Sequence, residues 1–133
     1  MYKRIFLVVV ALLLPVALQA AELRAVLLTG ASSGIGKRTT ELLSAEGFFV
    51  YAGARKQQDL DMLDAMKNVE AVRLDVTKPG DIEAAVKQVT EGGRGLYAVV
   101  NNAGVAILQP LIEVEEAQLD FLFDVNIYGP YRI

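Results

Sequence analysis

The sequence predicts an α/β protein, a parallel sheet with helices on both faces, built as one unit. Three observations predict it. From residue 25 onward, short apolar runs alternate with longer stretches at helical spacing. The connections between them are short, as strand–helix–strand crossovers require. A loop carrying Gly30, Gly34 and Gly36 sits between the first apolar run and the first helical stretch.

Ala25 to Thr29 (AVLLT) is a β-type run, followed by the glycine loop and a helix-like stretch from Ile35 to Ala45. Phe48 to Ala52 (FFVYA) is the second strand, aromatic and β-branched in character. Leu60, Leu63, Ala65 and Met66 follow at helical spacing until Asn68 breaks it, and Val69 to Leu74 alternates as a third strand. Pro79 stands where a first helical residue is favoured, and Ile82, Ala85, Val86 and Val89 continue the helix. Gly92-Gly93-Arg94-Gly95 makes a turn, Leu96 to Val100 a fourth strand, and Val114 to Phe123 the start of another helix.

With 133 residues there is room for one domain, and 53% apolar content with 22% charge describes a packed core. A net charge of −3 without any dense Lys/Arg cluster disfavours a nucleic-acid partner, and none is expected. Neither His nor Cys is present, so His-based proton transfer and most zinc sites are excluded.

The first residues read differently from the rest. Lys3 and Arg4 precede an apolar run from Ile5 to Leu18, and Ala20-Ala21 supply small residues suited to cleavage. Residues 1–21 are therefore expected to be a signal peptide or a membrane anchor, and membrane association would run through residues 5–21. Cleavage would leave 11 of the 13 basic residues against 16 acidic ones, a net charge of −5. Basic residues before the run favour export of the domain that follows. A cytoplasmic location stays open.

The glycine loop reads Thr29-Gly30-Ala31-Ser32-Ser33-Gly34-Ile35-Gly36. Gly30 lets the chain turn off the strand, Gly34 lets backbone approach a pyrophosphate, and Gly36 lets the helix lie close to the sheet. Phosphates would then meet free N–H groups and the positive end of a helix dipole.

This loop resembles that of the short-chain dehydrogenase/reductase family. Three further stretches agree with it in order: Leu74-Asp75-Val76-Thr77, Asn101-Asn102-Ala103-Gly104, and Asn126 within Asp124-Val125-Asn126-Ile127-Tyr128-Gly129. The resemblance implies a Rossmann-type parallel sheet with flanking helices, truncated after the fourth strand and the helix that follows, over residues 22–133. It implies an oxidoreductase that moves hydride between a nicotinamide cofactor and a small-molecule alcohol or ketone, commonly as a homo-oligomer.

The second strand ends in Tyr51-Ala52-Gly53-Ala54-Arg55-Lys56, with no acid to hold the ribose hydroxyls of NAD. Arg55 can fork onto a 2′-phosphate and Lys56 adds a point charge, so NADP is expected, with NAD as the alternative. By resemblance, Ser32 lies near that phosphate, Ser33 near the pyrophosphate, and Ile35 in the same loop. Asp75 would take the adenine amine and the Val76 backbone the same ring edge, although an Asp after a strand is also an ordinary turn or cap residue. Asn102 and Ala103 would shape the cleft, and Gly104 would leave room for a ribose.

Asn126 matches the family's catalytic Asn, whose carbonyl holds a water in its proton relay. The Ser and Tyr-x-x-x-Lys of that group do not occur in these residues, so the chain by itself is expected not to turn over. Tyr51-x-x-x-Arg55 and Tyr128-x-x-x-Arg132 are not substitutes, because Arg does not share its proton. A fourth strand left at the edge would make residues 22–133 poorly soluble or molten.

Overall fold

The computed structural model describes residues 23–133, and the expected leader or anchor of residues 1–21 lies outside them. Four parallel strands, β1 (Ala25–Leu28), β2 (Phe49–Ala54), β3 (Val69–Arg73) and β4 (Ala98–Val100), form one sheet in the order β3-β2-β1-β4. Between them run α1 (Gly34–Ala45), α2 (Gln57–Asp64) and α3 (Pro79–Glu91). A 3₁₀ turn at Leu111–Glu113, α4 (Glu116–Phe123), a π-helical turn at Asp124–Tyr128 and the short α5 (Gly129–Arg132) complete the chain.

Strand alternation explains the two cores. Leu27 and Tyr51 point to one face, where Val72, Ile82, Ala85 and Val89 join them from β3 and α3. Leu28, Val50 and Ala52 point to the other, against Leu60 and Leu63 of α2 and Leu43 of α1. The central strands are apolar on both faces because helices cover both. The chain thus moves outward from β1 to β3 with α1 and α2 on one face, then returns by α3 on the other to place β4 beside β1. That reversal opens a crevice at the carboxyl ends of β1 and β4.

The connections follow local chemistry. Asn68 ends the α2 segment in the left-handed region at φ 56°, which its short polar side chain tolerates. Pro79 is the first residue of α3, and Glu115 caps α4 in a reciprocal pair with Gln118.

Three expected boundaries move by two residues, the first at the end of β2, which runs on from Ala52 to Ala54. The fourth strand was expected from Leu96, but the ladder is regular only from Ala98. Leu96 and Tyr97 are exposed and follow Gly93 and Gly95, both at positive φ. The helix expected from Val114 begins at Glu116, since Val114 is extended at ψ 120°. Among the described residues no helix is long and apolar enough to cross a membrane.

Candidate functional site

All four strand ends converge on one cleft of about 470 Å³, walled by the loops after β1, β2, β3 and β4 and by Val125 of the π turn. Its lining residues Gly30, Asn102 and Ala103 are tied together by a hydrogen-bonded knot centred on Thr29, which is buried. The Thr29 hydroxyl oxygen accepts from the backbone N–H groups of Asn102 and Ala103, both at 3.0 Å. Asn102 answers by donating its side-chain amide to the carbonyls of Thr29 (3.0 Å) and Gly30 (2.9 Å). Loops seventy residues apart in sequence become one rigid surface.

Glycine is required above this knot. A Cβ on Gly36 would stand 2.1 Å from the Gly30 carbonyl oxygen and 2.5 Å from Asn102 Nδ2, so only glycine lets α1 start here. Gly34, by contrast, faces open space at φ +52°. Ser33 is the N-cap of α1, yet its hydroxyl makes no capping bond, and no acid stands in the first helical turn. The helix therefore presents uncapped N–H donors and its positive end to the cleft. Ser32 and Ile35 line the same wall, and the Ile35 side chain is 80% exposed.

On the β2 side the wall is Gly53, Ala54 and Arg55, fixed to the glycine loop where the Ala31 N–H donates to the Gly53 carbonyl (2.8 Å). Arg55 lines the cleft; Lys56 does not, standing exposed as the N-cap of α2.

After β3, Asp75 and Val76 line the cleft. One Asp75 oxygen accepts from the Thr77 hydroxyl (2.7 Å) and the Thr77 N–H (3.1 Å), so the turn role is filled and the second oxygen is left over. Burial raises the Asp75 pKa, but the Thr77 bonds and the Arg55 and Lys78 charges outweigh it and hold the carboxyl below its ordinary value. Val76 is buried against Gly129, where a Cβ would come within 2.8 Å of its methyl group.

Asn102, Ala103 and Gly104 line the β4 side. Asn126 does not reach the cleft lining itself. Its side chain clamps Val105 from both sides, accepting from the Val105 N–H (2.9 Å) and donating to the Val105 carbonyl (2.8 Å). The residue four positions on is Pro130, which has no N–H, so the Asn126 carbonyl lacks its α-helical donor.

The structure brings the glycine-loop, Arg55, Asp75–Val76 and Asn102–Gly104 positions together and leaves Lys56 and Asn126 outside the lining. Sequence reasoning missed the Thr29 hydroxyl, although Thr29 opens the glycine motif. It also missed Val105, which no motif includes, and Val125, which stands beside Asn126 in its motif.

A parallel sheet with a strand-order reversal, a glycine loop opening a helix at that reversal, and a converging polar cleft define a dinucleotide-binding α/β protein. Residues 24–133 match the model of the short chain dehydrogenase family, and the chain belongs to that family. It is 42% identical over 111 residues to the L-xylulose reductase of Homo sapiens, covering 83% of this chain and 44% of the reductase. It is 33% identical over 112 residues to the L-2,3-butanediol dehydrogenase of Corynebacterium glutamicum, covering 79% and 43%.

Among solved structures, a short-chain dehydrogenase from Streptomyces avermitilis superposes with a TM-score of 0.78 at 34% identity, over 86% of this chain and 42% of that one. The 3-ketoacyl-(acyl-carrier-protein) reductase of Brucella melitensis, complexed with NADH, superposes with a TM-score of 0.77 at 28% identity, over 82% and 46%. The chain spans under half the length of these relatives.

Proposed function

We propose that this chain is the cofactor-seating part of an NADP(H)-dependent oxidoreductase that interconverts a small-molecule alcohol and its carbonyl compound. The observation that carries the reading is the pairing of an uncapped helix N-terminus with Arg55 across one cleft, with no acid at the end of β2. The uncapped N–H groups of α1 suit a pyrophosphate. Arg55 has no side-chain partner among the described residues, which leaves its fork open for a 2′-phosphate, with Ser32 on the same wall. The second Asp75 oxygen suits an adenine amine beside the Val76 backbone, and exposed Ile35 offers an apolar surface to the nicotinamide end.

A bound nicotinamide supplies or accepts the hydride, and this chain's residues orient it. Asn126 holds the loop after β4 in place through Val105. No Tyr-x-x-x-Lys stands within these residues, so the role read here for them is cofactor seating. An alternative is a nucleotide-binding module completed by another chain, which the exposed β4 edge favours.

Fluorescence titration of the full chain with NADPH and NADH tests the seat. NADPH is expected to bind at least about tenfold more tightly, the worth of one charge-assisted contact, and Arg55→Ala to abolish the difference. Saturable binding of neither would defeat the reading, and a preference for NADH would reassign the seat to NAD. We propose also that residues 5–21 carry the protein to or across a membrane. Recovery of a tagged chain wholly in the soluble cytoplasmic fraction would contradict this.

A further inference from the structure

Arg73 is the last residue of β3, pairs with Ala54 of β2, and lies outside the cleft lining. Its guanidinium reaches across the sheet end, donating through Nη1 to the Arg55 carbonyl (2.6 Å) and through Nη2 to Gln57 Oε1 (2.7 Å). Gln57 in turn donates to Asp61 one helical turn on (2.8 Å). One planar fork therefore grips both sides of the turn that carries Arg55, from the strand end to the first residue of α2. The β3 backbone adds a further tie, with the Leu74 N–H donating to the Ala54 carbonyl (2.9 Å).

The arrangement sets a second guanidinium beside the Arg55 backbone, although Arg55 is itself a cation. A like charge at that place is unfavourable for the empty site and favourable once a dianion is bound nearby. The planar guanidinium presents its donors in a rigid fork, so its two acceptors, the Arg55 carbonyl and Gln57 Oε1, are held in one relative geometry.

We propose that Arg73 is a specificity-determining positioning residue. It holds the Ala54–Gln57 turn so that Arg55 projects into the cleft, and it thereby selects a dinucleotide bearing a 2′-phosphate over one without it. This rests on the NADP(H) reading of Arg55. Arg73 acts through Arg55 and does not itself touch the cofactor.

The test is a set of NADPH and NADH titrations on the wild-type chain, Arg73→Met, Arg73→Lys, Arg55→Ala and the Arg55→Ala/Arg73→Met double variant. Arg73→Met keeps the aliphatic stem and is expected to raise the NADPH Kd by roughly five- to tenfold, leaving NADH within about twofold. Arg73→Lys keeps the charge without the fork and is expected to weaken NADPH by roughly threefold, again sparing NADH, so the proposal stays testable if the Met variant does not fold. The double variant is expected to bind NADPH no more weakly than Arg55→Ala, because the two residues act as one unit.

Equal loss of NADPH and NADH in the Arg73 variants would show a merely structural role and overturn the proposal. So would additive losses in the double variant. Preference lost in Arg55→Ala but intact in both Arg73 variants overturns this proposal alone. A wild-type chain without NADPH preference overturns it together with the reading of Arg55.

Discussion

Thr29 spends one hydroxyl on two backbone N–H groups, which makes it the most consequential small side chain of the site. Thr29→Val preserves the shape and leaves two part-buried donors unpaired, so urea unfolding should show a loss of about 1–3 kcal/mol. Tyr51 is the opposite case: its hydroxyl is buried with no partner among the described residues, and burial followed by the Glu70 charge pushes its pKa up against a smaller opposing pull from Arg94. Tyr51→Phe should raise stability by about 1 kcal/mol, seen as a melting point several degrees higher. Asp75 has its folded pKa depressed, so its contribution is present above the unfolded value of about 3.9 and fades as pH falls below it. Asp75→Asn should flatten the acid limb of a stability-versus-pH curve, and an unchanged limb would show that the Thr77 bonds are worth little. The sequence placed Asp75 in a turn and in a cleft at once, and the structure gives one oxygen to the turn. The Thr29 bonds were not legible, because hydroxyl partners depend on a loop more than seventy residues away.

At the scale of elements, the start of α1 is set by two glycines for different reasons. Gly36 is closed in by the Gly30 carbonyl, whereas Gly34 is open but left-handed. Gly36→Ala should push α1 off the sheet and abolish cofactor binding. Gly34→Ala should cost only about 1–2 kcal/mol of stability, from backbone strain. Thermal melts with and without NADPH separate the two. The strands and first three helices were legible because periodicity is a local signal: apolar runs of four to six residues covered on both faces, and helical spacing between them. The β4 boundary was not, because an edge strand paired only with β1 loses its regular ladder where the Gly93 and Gly95 turn begins. The π turn at Asp124–Tyr128 was not legible either. Its one local trace is Pro130, which removes a helical N–H where the widened turn gives way to α5.

The whole molecule shows an uneven surface. The β4 edge exposes Val99, and the chain after it exposes Leu111, Ile112, Phe121, Phe123, Ile127 and Tyr131. Exposed apolar side chains after a strand edge that has no partner among the described residues favour association, so the chain on its own should elute above monomer mass at micromolar concentration or melt without a sharp transition. A sharp melt from a monomeric sample would contradict this. The cleft lies at the carboxyl ends of the strands and is closed by bonds between β1 and β4 that do not involve that surface. Cofactor seating and apolar exposure are therefore separable properties of one fold. Hydrogen–deuterium exchange of the full chain with and without NADPH tests that seating most directly. Protection is expected in the peptides that carry Gly34–Gly36, Arg55, Asp75–Val76 and Asn102–Gly104. No protection, or protection confined to Glu116–Phe123, would contradict the account.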